Sequence, residues 1–127
     1  MFQDSCDIIS TMRVCICDDD SAERSLLRGF LRQYALEKGL RFDIAEYGDS
    51  ALLLEDLLED GALKKDVCPS ILFMDIFMDE SNGMEDTKKL FRAGLSASIV
   101  FCTSSKDYAL DSYSVNAEGY LVKPYTW

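Results

Sequence analysis

The stretch Ile71-Leu72-Phe73-Met74-Asp75, which turns polar within a few residues at Asp79-Glu80-Ser81-Asn82-Gly83, decides how this chain folds. A short apolar run bounded by turn residues reads as a fully buried strand. This one ends on a carboxylate, and an acid at the mouth of a buried strand is costly unless a cation or a covalent group neutralises it. Three other runs also end on polar chemistry. Val14-Cys15-Ile16-Cys17 stops at Asp18-Asp19-Asp20, Ile99-Val100-Phe101-Cys102 at Thr103-Ser104-Ser105, and Tyr120-Leu121-Val122 at Lys123-Pro124. If the strands are parallel, their polar ends meet on one edge of one sheet, where open α/β sheets place their sites.

The text between these runs reads as helices. Asp20 or Ser21 can cap the first, with Leu26, Leu27, Phe30, Leu31 and Tyr34 as its apolar stripe, Arg24, Arg28 and Arg32 on the wet side, and Gly39 at its end. Arg41 to Tyr47 alternates and is expected to be a half-exposed edge strand. Leu53, Leu54, Leu57 and Leu58 mark a second helix; Met84, Thr87, Leu90 and Phe91 mark a third; Ser104 or Ser105 caps a fourth, carrying Tyr108, Ala109 and Tyr113. Strands and helices alternate, which means a parallel sheet with helices on both faces. A fifth helix would complete the alternation, so one face beside the first and last strands is expected to be under-covered. Residues 1–11 show no clear period and are expected to form an N-terminal extension. Residues 12–127 are then one domain, cut before its final helix.

Composition narrows the function. The 127 residues are 48% hydrophobic, enough for a buried core. A net charge of -10 repels phosphates and so argues against direct binding to nucleic acid or an anionic membrane. No apolar run is long enough to cross a bilayer, and the first residues lack the features of a secretory signal. Five cysteines, three of them inside apolar runs, fit small buried residues of a reducing compartment, here the cytoplasm. With no paired CxxC and no histidine, a zinc site and a histidine-based triad are not expected.

Asp18-Asp19, Asp75, Thr103 and Lys123 each follow a different strand and together supply carboxylates, a hydroxyl and an ammonium. Phosphoryl transfer to an aspartate uses this set, because a hard divalent cation takes carboxylate and phosphate oxygens while a lysine offsets phosphoryl charge. At these residues the sequence resembles the receiver domain of two-component response regulators. The resemblance runs from about Arg13 to Tyr125 and is carried by Val14 to Asp20, Leu72 to Met78 with Gly83, Phe101 to Ser104, and Gly119 to Tyr125, all in the family's order. It implies a flavodoxin-like (CheY-like) doubly wound sheet of five parallel strands, order 2-1-3-4-5.

The resemblance implies roles as well. Asp75 is the phosphoacceptor. Asp18, Asp19 and Asp75 hold Mg²⁺ (or Mn²⁺), Asp19 directly and Asp18 through water, with the backbone carbonyl of Phe77 as a further ligand. Lys123 pairs with the phosphoryl group, Thr103 and its neighbour Ser104 sit at the phosphate, and Thr103 with Tyr120 forms the switch. The Lys123-Pro124 bond is expected to be cis. The donor is a sensor histidine kinase, the full-length protein is expected to form a homodimer on activation, and the domain is not expected to be an enzyme beyond its own phosphorylation and dephosphorylation. The stretch Ser105 to Ala117 is similar to receivers joined to a LytTR-type DNA-binding domain, which implies transcription regulation. Two departures stand out: Asp79 replaces a proline common in the family, and the last helix is missing.

Two rival readings remain. A haloacid-dehalogenase-type phosphatase would use Asp18 as nucleophile and Asp20 as acid/base. Its second acidic pair should follow the lysine, where this sequence stops, and Asp75 precedes Thr103. A pseudo-receiver would bind partners without phosphorylation, a role for which the intact acid set is not required.

Overall fold

The computed structural model describes residues 11–78, 81–103 and 117–122, with side chains for 11–76 and 83–102. Its elements run β1 (Thr11–Cys17), α1 (Ser21–Lys38), β2 (Arg41–Tyr47), α2 (Ser50–Leu57), β3 (Leu58–Glu59), β4 (Ala62–Leu63), a 3₁₀ turn (Lys65–Val67), β5 (Ile71–Asp75), β6 (Phe77–Met78), β7 (Ser81–Asn82), α3 (Gly83–Arg92), β8 (Ser98–Thr103) and β9 (Ala117–Val122). Five of the strands form one sheet in the order β2-β1-β5-β8-β9, and every pairing in it is parallel. Counted along the chain, those five strands stand 2-1-3-4-5, the flavodoxin-like order. The fourth helix expected from the sequence, like the Lys123-Pro124 bond and residues 1–10, lies outside the described residues.

Period-two alternation divides the sheet into two faces. On one face Cys15, Cys17, Leu72, Met74, Ile99 and Phe101 pack with Leu53 and Leu57 of α2 and Met84 and Leu90 of α3. On the other, Ile16 and Cys102 pack with Leu27 of α1, while Phe73 and Val100 stay half-buried. α1 starts at an Asp20 cap, whose carboxylate accepts from the N–H groups of Ala22 and Glu23, and stops at Gly39, which takes the left-handed φ of 68°.

Several local expectations need correction. The inward row of α1 is Leu27, Leu31 and Ala35, and it leaves Leu26 and Tyr34 on the surface, because the helix packs one position round from the centre of its apolar stripe. Arg24 and Arg28 do not project into water; both turn back onto Glu46 of β2. Leu58 is not helical: it takes extended backbone at φ -116° and opens a two-stranded hairpin with β4. Asp60 and Gly61, both at positive φ, form that turn. In α3, Phe91 is exposed and the inward surface includes Asp86 instead. β6 and β7 make a second small antiparallel hairpin after β5, which the sequence reading did not foresee.

Candidate functional site

The sheet register itself assembles the acids. Cys17 of β1 pairs with Met74 of β5, so the next residues, Asp18 just past β1 and Asp75 at the end of β5, stand at the same edge of the sheet. One carboxylate oxygen each from Asp18, Asp19 and Asp75 lies within 4.8 Å of the other two. Asp18 and Asp75 are almost fully buried, at 3% and 4% exposure, while Asp19 is exposed. The pocket therefore has two sunken acids and one on its rim.

The turn after β1 is held from several sides. The Asp18 N–H donates to the Tyr47 carbonyl at 3.0 Å. The Asp18 carboxylate accepts from the Asp20 N–H at 2.9 Å, and Asp20 in turn caps α1. Arg24 Nη1 donates to the Asp18 carbonyl at 2.6 Å.

A different device holds the turn after β5. The Gly83 N–H donates to the Ile76 carbonyl at 2.8 Å, closing the loop that contains the β6–β7 hairpin. A β-carbon on Gly83 would lie 2.0 Å from the Asp75 carbonyl oxygen and 2.9 Å from Met74 Cγ, so no other residue fits that approach. Thr87 Oγ1 donates to the Gly83 carbonyl at 2.6 Å. Behind this turn, the fully buried Ser50 hydroxyl donates to the carboxylate of buried Asp86, joining the start of α2 to the first turn of α3.

A metal ion fits the donor set. Three converging carboxylates and no imidazole make a hard oxygen site, suited to a divalent cation such as Mg²⁺. Burial first, then the charges of Asp49, Asp18, Asp75 and Asp86, push the neighbouring Cys17 thiol up. Burial also raises Cys15, to about 11.

The other residues singled out from the sequence are placed only by their backbone. In β8, Cys102 pairs with Asp75, and Thr103 is the next residue, at the same edge of the sheet. Thr103 itself pairs with Val122, the last described residue of β9, and Tyr120 pairs with Phe101. Phe77 opens β6, two residues beyond Asp75. Ser104 and Lys123 lie outside the described residues. Sequence reasoning missed Arg24 with Glu46 and Ser50 with Asp86. Asp86 had a signal: four residues before Leu90, it falls on the same helical face.

The response regulator receiver domain family matches residues 14–126. The chain belongs to that family. Receivers are signalling modules that work with a histidine kinase and generally bind Mg²⁺ in an acidic pocket. The chain is 32% identical over 113 residues to the positive alginate biosynthesis regulatory protein of Pseudomonas aeruginosa, covering 89% of this chain and 42% of that one. It is 32% identical over 114 residues to the sensory transduction protein LytT of Bacillus anthracis, covering 90% and 42%. The chain thus spans less than half the length of these relatives, which are LytTR-type regulators, the subgroup that the sequence resembled. Among solved structures, the response regulatory domain of MrkE from Klebsiella pneumoniae superposes with a TM-score of 0.74 at 21% identity, covering 91% of this chain and 85% of that one. The chemotaxis protein CheY4 of Vibrio cholerae does so with 0.67 at 20%, covering 92% and 90%. Both likenesses carry the CheY-like fold. Among the described residues, no helix is long and apolar enough to cross a membrane.

Proposed function

We propose that this receiver takes a phosphoryl group onto Asp75 from a phosphohistidine of a sensor kinase, using Mg²⁺ (or Mn²⁺) held by Asp18, Asp19, Asp75 and the Phe77 carbonyl. The observation that carries this reading is the convergence of the three carboxylates at the ends of β1 and β5. The bond from phosphorus to the donor imidazole breaks as a bond to an Asp75 carboxylate oxygen forms, and the donor imidazole lies outside these 127 residues, which contain no histidine. A bound divalent cation supplies charge to offset the phosphoryl oxygens. Asp18 and Asp19 attract and orient that charge, and the packing against Gly83 fixes the strand end that carries Asp75. From their places in the sequence, Lys123 takes the role of pairing with the phosphoryl group, and Thr103, with Ser104 beside it, that of donating hydrogen bonds to it. Thr103 and Tyr120 then switch the distal face, the full-length protein dimerises, and a DNA-binding output regulates transcription. The four cysteines that the structure describes are all free thiols, which fits a cytoplasmic setting.

Labelling with radioactive acetyl phosphate in the presence of Mg²⁺ tests this. Label is expected on the wild-type chain, none on Asp75→Asn, and strong suppression by excess chelator. Label that survives Asp75→Asn but disappears in Asp18→Asn would transfer the nucleophile to Asp18, as in the phosphatase reading. A wild-type chain that takes no label would leave the pseudo-receiver.

A further inference from the structure

Arg24 stands one turn into α1, and its side chain reaches back to both the turn after β1 and strand β2. Its Nη1 donates to the Asp18 carbonyl at 2.6 Å, while its Nε lies 3.3 Å from a Glu46 carboxylate oxygen. The second Glu46 oxygen accepts from Arg28, so Glu46 is gripped between two guanidinium groups one helical turn apart. The Arg24 and Glu46 side chains are only 20% and 23% exposed. A guanidinium is a rigid planar fork, and here one prong holds the acid turn while another part is fixed to the sheet.

We infer that Arg24 is a positioning residue for the acidic pocket: anchored by Glu46, it fixes the Asp18 peptide so that Asp18 and Asp19 point at Asp75. The inference rests on the metal-binding reading of that pocket and concerns this chain's own residues toward the cation. Arg24 reaches the turn through the Asp18 carbonyl, not through a carboxylate. Its effect on a bound cation therefore has two parts of opposite sign. As a positive charge beside the pocket, it opposes cation binding. As a brace on the turn, it favours binding, because groups that orient metal ligands typically contribute about 10- to 100-fold in affinity.

The sign separates the two. Calorimetric titration with MgCl₂ is expected to give about ten-fold weaker binding for Arg24→Ala than for the wild-type chain. Arg24→Lys keeps the charge but cannot reach both Asp18 and Glu46, and it is expected to bind more weakly than wild type by a few-fold, on the same mechanism. The rise in melting temperature on adding Mg²⁺ should shrink in both variants, whatever their metal-free melting temperature. Unchanged or tighter Mg²⁺ binding in Arg24→Lys overturns the inference, and this variant settles the matter even if Arg24→Ala does not fold. Asp19→Asn serves as the control: if neither wild type nor Asp19→Asn binds Mg²⁺, the metal reading itself fails, whereas a wild type that binds and an Arg24→Lys that binds equally well removes only the role of Arg24.

Discussion

Two strand-to-helix turns build the acidic pocket, and they are held by opposite means. The turn from β1 into α1 is fixed by charge: the Asp20 cap, the Asp18 carboxylate on the Asp20 N–H, and the Arg24 fork between Asp18 and Glu46. The turn from β5 into α3 is fixed by closeness: Gly83 lies against the Asp75 carbonyl, with Thr87 and the Ser50–Asp86 pair packed behind it. Charged side chains on a partly wet surface yield by degrees, because each hydrogen bond contributes a modest amount. A backbone-to-backbone contact either fits or does not. The first turn can therefore tune the pocket, and the second defines the position of Asp75.

Substitution at Gly83 should break that contrast most sharply. Gly83→Ala places a methyl group 2.0 Å from a backbone oxygen, so either α3 or the end of β5 must move. We expect a loss of about 3 kcal/mol or more in urea unfolding, together with loss of phosphodonor labelling. A variant that keeps both stability and labelling would show that the second turn gives as readily as the first.

Ser50→Ala comes next. It removes the hydroxyl that donates to buried Asp86 and leaves that carboxylate with Lys89, whose Nζ lies 3.4 Å away and is largely in solvent. The expected cost is about 2 kcal/mol in urea unfolding, the range for a buried acceptor that loses its partner. Combining it with Asp86→Ala should add less than the sum of the two single changes, because the residues act as a unit.

The smallest effect belongs to the charged turn. Asp20→Ala removes the α1 cap and should cost about 1 kcal/mol in a thermal melt, with labelling retained at saturating Mg²⁺. A larger loss than that for Ser50→Ala would reverse the ranking of the two turns.

The part of this organisation that rests on apolar runs could be read directly. Each of the four runs ending in polar residues became a sheet strand, and the acids that follow β1 and β5 converge because Cys17 and Met74 stand in register. The residues proposed to meet the phosphoryl group beyond β8 and β9 were legible only as sequence, since Ser104 and Lys123 lie outside the described residues. The β3–β4 hairpin had a readable signal in Asp60-Gly61 between Leu58 and Leu63, but the leucine stripe of α2 ran through Leu58 and hid it. The long-range polar pairs were not legible. Arg24 and Glu46 are 22 residues apart, Ser50 and Asp86 are 36, and nothing local in either sequence neighbourhood records the partner. A charged residue among helical arginines looks solvated until the strand beside it is in place.

The thiols of β1 have a consequence for how the domain withstands oxidants. Peroxide attacks the thiolate, not the thiol. Burial raises Cys15 to about 11 and Cys17 further still, so both stay thiols at neutral pH. Sulfenic acid formation in the strand that leads into Asp18 is therefore suppressed by the same burial that builds the core.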